Sequence, residues 1–238
     1  MSRRSQEEII IVTGASRGVG YATVQSLVRD HGKRVLAISR NEEKLEQLQQ
    51  ESGGEEHVQI LPLDIAAPEA ASHIKQVVAS RRVLALMHNA GLLHSRPMGQ
   101  HKRADLELLY AINVFAPLEI TQALVEELDG TPAGHIVHIG SMGGFQDSSK
   151  FAGLVAYSAS KAALAAMAQC LAEEFKDRGI RSNCLALGSV DTEMLRDAFP
   201  GYKAGMTAQA MGNFIARFAL EGHLLFNGKV LPVATTTP

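Results

Sequence analysis

The 238-residue chain has few cysteines, almost no net charge and no long apolar run, and each shortage excludes something. Its two cysteines, Cys170 and Cys184, lie outside any CxxC motif or Cys/His cluster with metal-ligand spacing, so no metal site is expected. Both read as buried small apolar residues, and so low a count suits a reducing compartment. The formal net charge of -2 gives no reason to expect a nucleic acid or a membrane surface as partner. The N-terminus, MSRRSQEE, runs directly into Ile9–Val12, an apolar stretch too short for a signal sequence or a membrane span. The expected location is therefore the cytoplasm. No internal repeat of about 20–50 residues and no linker divides the chain, so residues 1–238 are expected to form one domain.

What is present is an alternation. β-branched and apolar runs predict strands at Ile9–Val12, Arg34–Ser39, Val58–Leu63, Val83–His88, Gly134–Gly140, Ile180–Leu187 and Lys229–Val233. Between them, helical patterns run to about Arg29 and over Glu42–Gln50, Glu69–Ala79, Asp105–Leu128, Tyr157–Arg178 and Asn213–Leu220. The tail Ala234–Pro238 reads as irregular. Strand–helix alternation implies parallel pairing through right-handed crossovers. Nearly continuous apolar strands imply a sheet covered by helices on both faces, three layers in all. The expected fold is therefore α/β, doubly wound on a mostly parallel sheet.

The first strand ends in Gly14-Ala15-Ser16-Arg17-Gly18-Val19-Gly20, a G-x-x-x-G-x-G turn. Glycines permit a sharp turn and close approach of a ligand to the backbone. The helix that starts there aims free N–H groups and its positive dipole end at the turn, where a pyrophosphate would sit. A merely glycine-rich connection is the alternative. The end of the second strand bears on which dinucleotide fits. An acid there would hold a ribose 2′-OH, but the residues are Ser39-Arg40-Asn41. Arg40, and Arg17 from within the turn, could instead pair with a 2′-phosphate, which favours NADP(H) over NAD(H). Solvated surface arginines are the other reading.

Tyr157 and Lys161 stand four residues apart, on one face of a predicted helix. A free phenol ionises near pH 10, and a neighbouring cation lowers that value, which would suit tyrosine to acid/base work. Such a pair also arises by chance. Ser141 directly follows the fifth strand and Asn89-Ala90-Gly91 the fourth, however, so they share one sheet edge with the glycine turn.

Together, TGASRGVG over Thr13–Gly20, NAG over Asn89–Gly91, Asn113, Ser141 and YSASK over Tyr157–Lys161 resemble the short-chain dehydrogenase/reductases. The match runs from about Ile9 to Met194. The resemblance implies a Rossmann-type fold and hydride transfer between NADP(H) and a small carbonyl or secondary alcohol, a ketone or 3-oxoacyl thioester among them. It implies that Gly14, Ser16, Gly18 and Gly20 line the cofactor phosphates and that Asp64 contacts the adenine. Asn89 and Gly91 would support cofactor and sheet. Ser141 would orient the substrate oxygen, Tyr157 would be the acid/base, and Lys161 would bind the ribose and lower the tyrosine pKa. Asn113 would hold a relay water. Gly188, Val190 and Thr192 would belong to a loop over the nicotinamide, with residues 189–215 on the substrate side. Asp64 also reads as a cap or turn residue, Asn113 as a buried amide and Thr192 as a loop hydroxyl.

Family members also pair their long helices. The apolar Leu106, Leu108, Leu109, Ile112 and Val114, with Ala162, Ala163, Ala165 and Ala166, would suit such pairing into a homodimer or homotetramer; packing on their own sheet alone is the other reading. The sequence departs from the pattern in three places. His88 precedes NAG, and is expected to be a satisfied strand-end imidazole. Leu187-Gly188 replaces Pro-Gly, which is expected to loosen the loop. The close is Phe226-Asn227-Gly228 and a strand rather than Asp-Gly-Gly. An NADP(H)-binding sensor without turnover is the reading from another class, and a sugar-nucleotide epimerase would need a larger substrate domain than the segment after Met194 provides.

Overall fold

A computed structural model describes residues 7–130 and 134–235. A seven-stranded sheet in the order β3-β2-β1-β4-β5-β6-β9 forms the middle layer. Its strands are β1 (Glu8–Thr13), β2 (Val35–Ser39), β3 (Val58–Pro62), β4 (Arg82–His88), β5 (His135–Ser141), β6 (Arg181–Leu187) and β9 (Val230–Val233). Every neighbouring pair is parallel. The order reverses between β1 and β4, so their carboxyl ends open a crevice between them, where open α/β sheets bind ligands.

The two faces are covered by separate cores. On one, α1 (Gly18–Arg29), α2 (Glu42–Glu51) and α9 (Ala208–Glu221) pack on Ile10, Val12, Val137 and Leu185. On the other, α3 (Ala70–Val78), α4 (Arg103–Tyr110), α5 (Ala116–Ala123), α6 (Val125–Leu128) and α7 (Val155–Glu174) surround Ile9, Ile11, Leu86 and Ile136. Strands buried on both faces need apolar residues at every position, which is why β1 and β2 are so legible. The segment expected as one helix from Asp105 to Leu128 is interrupted: Ala111–Phe115 forms a π-helical turn between α4 and α5. Such turns insert one residue into the hydrogen-bond ladder and re-aim side chains, here that of Asn113.

Three histidines lie in the middle of the sheet. His88 Nε2 meets Thr121 Oγ1 on α5 at 2.8 Å, and its ring stacks on His138 with centroids 5.0 Å apart. His138 Nε2 lies 3.3 Å from Ser182 Oγ on β6. On the opposite face, His135 Nδ1 donates to the Ala219 carbonyl on α9, while Asn183 Nδ2 donates to its Nε2 at 3.0 Å. His88 is thus the satisfied strand-end imidazole expected of it.

Between β6 and α9 the chain builds a small accessory layer. Val190–Asp191 (β7) pairs in parallel with Met206–Thr207 (β8), and Glu193–Ala198 (α8) lies between them. The Gly188 N–H donates to the Val233 carbonyl of β9 at 3.0 Å. The loop that follows Leu187-Gly188 is thus hydrogen-bonded to β9 at its start and contributes β7 further on. A correction concerns Cys170, which is exposed on α7, while Cys184 is buried as expected. The expected irregular tail is described for Ala234 and Thr235; residues 236–238 lie outside the described residues. Among the described residues no helix is long and apolar enough to cross a membrane, and no group of three His, Cys, Asp or Glu could hold a metal ion.

Candidate active site

A cleft of about 990 Å³ opens along the carboxyl ends of β1, β2, β4, β5 and β6. Its first wall is the glycine turn. Gly14 has φ +69°, a conformation L side chains avoid, and a Cβ there would sit 2.7 Å from the Ala90 Cα. A Cβ on Gly20 would fall 2.3 Å from Asn89 Nδ2 and 2.4 Å from the Gly14 carbonyl oxygen. Asn89 explains this closeness: its Nδ2 donates to the Thr13 and Gly14 carbonyls at 2.9 and 3.1 Å. Thr13 Oγ1 returns the tie, accepting from the Asn89 and Ala90 N–H groups. The amide at the end of β4 thereby pins the turn after β1. Arg17, the N-cap of α1, makes no side-chain hydrogen bond to the first turn of that helix, whose N-terminal end faces the cleft with Ser16, Gly18 and Val19.

Charge gathers around this turn. Arg17 Nη1 lies 2.7 Å from Glu193 Oε2 on α8, and Lys44 Nζ lies 3.6 Å from the other carboxylate oxygen. These two cations hold the Glu193 carboxyl below its ordinary pKa. Arg40, at the end of β2, approaches Asp64 at 4.0 Å and is otherwise open to solvent. Asp64 Oδ1 also accepts from the Ala66 N–H at 3.0 Å, so its alternative reading as a turn residue holds alongside its place in the cleft wall.

Ser141, Tyr157 and Lys161 line the same cleft. Ser141 Oγ accepts from the Gly143 N–H at 3.1 Å, which caps the short 3-10 turn Met142–Gly144 and fixes the hydroxyl at the end of β5. It also stands near enough to the Tyr157 phenol to lower its pKa in part. Lys161 Nζ donates to the Ile139 carbonyl at 2.8 Å and lies 6.0 Å from the centroid of the Tyr157 ring. Burial pushes the Lys161 ammonium down to about 8. Burial also raises the Tyr157 pKa, and the Ser141 hydroxyl offsets only part of that. In the chain alone, burial outweighs the Ser141 contribution, so the phenol stands above its ordinary value.

Asn113 is fully buried and is not part of the cleft wall. Its Oδ1 accepts from the Leu92 N–H at 2.8 Å, and its Nδ2 donates to the Leu92 carbonyl and Ser160 Oγ, both at 2.9 Å. These bonds match the buried-amide reading. They hold the strand-end loop of β4 against α7, one residue before Lys161. Gly188, Val190 and Thr192 line the cleft as expected, and Thr192 Oγ1 accepts from the Leu195 N–H to cap α8. Sequence reasoning missed Glu193 and Lys44 at the charged end. It also did not single out Leu93, Phe151 and Leu154, which close the opposite end with Phe199 from the expected substrate-side segment 189–215. Only proximity in space identifies them, because Arg17 and Glu193 are 176 positions apart.

A family model described as short chain dehydrogenase matches residues 8–203. The chain belongs to the short chain dehydrogenase family. Within that oxidoreductase family it is similar to the uncharacterized oxidoreductase YciK of Escherichia coli K12, 35% identical over 201 residues, 82% of this chain and 78% of the relative. A short chain dehydrogenase from Salmonella enterica serovar Typhi CT18 superposes with a TM-score of 0.86 at 30% identity over 98% of both chains. A structure from Escherichia coli CFT073 complexed with NADPH gives 0.84 at 31% identity, covering 95% of this chain and 96% of that one.

Proposed function

We propose that the chain is a one-domain, cytoplasmic NADP(H)-dependent enzyme that interconverts a carbonyl compound and a secondary alcohol, with residues 189–215 forming its substrate side. One observation carries the reading: the Ser141 hydroxyl, the Tyr157 phenol and the Lys161 ammonium line one cleft with an uncapped helix N-terminus and a backbone-tight glycine turn. The residues fit a phosphorylated dinucleotide. The free N–H end of α1 suits a diphosphate, and Arg17, Arg40 and Lys44 supply cations beside it. The NADPH held by the similar Escherichia coli structure supports the same cofactor here. In this reading Gly14, Ser16, Gly18, Gly20, Asn89, Gly91, Asp64, Gly188, Val190 and Thr192 form the cofactor's walls.

When bound, NADPH supplies the hydride. The chain's own groups do the rest. Ser141 and Tyr157 converge on the position of the substrate oxygen. Because burial raises its pKa, the Tyr157 phenol stays protonated at neutral pH and donates to the oxygen as negative charge develops there. Lys161, anchored by Ile139, keeps a positive charge beside the phenolate left behind. Asn113 acts through Leu92 and Ser160, as a positioning residue. The family's oligomeric habit has a matching surface: Leu108, Phe115, Leu118 and Val155 are large, apolar and exposed on the α4–α5 and α7 helices, which suits a homodimer or homotetramer.

Carbonyl-dependent consumption of NADPH tests the reading. Tyr157→Phe should lower kcat by on the order of 10²–10⁴ while NADPH still binds. Full turnover in that variant would remove Tyr157 from the chemistry.

A further inference from the structure

The charged groups of the cleft are gathered at one end. Arg17, Arg40, Lys44, Asp64 and Glu193 stand around the glycine turn. Beyond Tyr157 the walls change character. Leu154 packs directly on the Tyr157 ring with Phe151, Phe199 and Leu93 around them. Phe151 and Phe199 face each other with centroids 6.5 Å apart and planes at 57°. The polar groups at this end, the Ser189 and Tyr202 hydroxyls, bond each other at 3.1 Å. After Glu193, the charged residue of α8 that lines the cleft is Asp197, an acid, while Arg196 pairs with Asp191. Nearby cations are turned elsewhere: Arg96 pairs with Asp105, Lys150 donates to the Phe145 carbonyl, and Lys161 is held by Ile139.

We infer that the substrate is an uncharged, predominantly apolar carbonyl compound carrying an aromatic or alicyclic ring, and not a free acid, a phosphate ester or a polyol. The inference rests on the oxidoreductase reading above and narrows it. A carboxylate or phosphate placed beside Phe151 and Phe199 would lose its hydration without gaining a cation. A polyol would leave several hydroxyls unpaired for the same reason. A ring laid against the paired Phe151 and Phe199 side chains and Leu154 buries its apolar faces there and extends their aromatic contact.

The test compares 1-phenyl-1,2-propanedione with phenylglyoxylate, which differs by a carboxylate in place of a methyl ketone, and with the ketose xylulose, all reduced with NADPH. The diketone should exceed both others in kcat/KM by roughly 100-fold, the scale on which a pocket rejects an unpaired polar group. Calorimetric titration of the chain with the same compounds should rank them identically. Phe199→Ala should raise KM for the diketone about tenfold with little change in kcat. Equal or better use of the acid or the ketose overturns the inference and leaves the oxidoreductase reading standing. NADPH binding without reduction of any of the three overturns both.

A separate observation concerns the other end of the cleft. The Glu193 carboxylate bridges Arg17 and Lys44, cations placed to receive a 2′-phosphate. We propose that Glu193 occupies that phosphate position and must yield it, so that this residue sets the affinity for phosphorylated cofactor. The probes are 2′,5′-ADP and 5′-AMP, titrated calorimetrically at low ionic strength. Glu193→Gln should tighten 2′,5′-ADP by about three- to tenfold, the scale of two exposed ion pairs, and leave 5′-AMP unchanged. The gain should shrink in high salt. Unchanged or weakened 2′,5′-ADP binding, or an equal gain for 5′-AMP, overturns the assignment.

Discussion

At the glycine-turn end of the cleft the backbone itself sets the shape, whereas at the far end side chains on short elements do. Gly14 and Gly20 lie too close to their neighbours to admit an added atom, and the Asn89 amide and Thr13 hydroxyl pin their backbone in place. Phe151, Leu154 and Phe199 meet across loops and a six-residue helix, and nothing but their own side chains defines the space. One end is therefore intolerant of change and general in what it binds, and the other is tolerant and selective.

The largest expected effect contrasts the two directly. Gly20→Ala puts a methyl group within 2.4 Å of a carbonyl oxygen, and should cost about 3 kcal/mol, the upper range for an overpacked site. Thermal unfolding would then drop by about 6–10 °C. Phe199→Leu should stay within about 1.5 kcal/mol and alter only substrate KM. Equal losses in the two variants would break the comparison. Next, Arg40→Asp should shift preference from NADPH toward NADH by about 30-fold, read as the ratio of kcat/KM values, since a charged hydrogen bond is lost and a repulsion gained. An unchanged ratio would assign the 2′-phosphate to Arg17 and Lys44 alone.

The boundary between the ends is sensitive to pH. The Lys161 ammonium, ordinarily titrating near 10.5, loses its proton at about 8 in the folded protein. Its charge is complete well below that value and falls above it. Turnover should therefore be flat below about pH 7 and decline toward tenfold per pH unit above 8. A profile level to pH 10 would exclude any need for the charge. The smallest effect is expected at Thr192→Val, which removes the cap of α8, costs about 1 kcal/mol locally and raises KM about threefold.

Seven strands and most helices were legible because burial on both faces leaves a simple apolar signature. The site residues were legible because glycines and strand-end polar groups are rare where they occur. The accessory layer was not: β7 and β8 are two residues each, and no periodicity exists at that length. The π turn at Ala111–Phe115 keeps a helical pattern, so its interruption leaves no trace in composition. Spacing along a helix shows that Lys161 is near Tyr157, but not that the Ile139 carbonyl holds its ammonium or that both groups are buried.

The histidines of the sheet have a consequence for precision. Aliphatic side chains slide over one another with little penalty, but each nitrogen of an imidazole meets its partner along a fixed direction. His88 ties β4 to α5, His138 joins β5 to β6, and His135 fastens β5 to α9. The two strands that deliver Asn89 and Ser141 are therefore indexed against both helical layers, like gears meshed at fixed teeth. The relative placement of the Asn89 amide and the Ser141 hydroxyl is set from within the sheet, beneath the cleft they line.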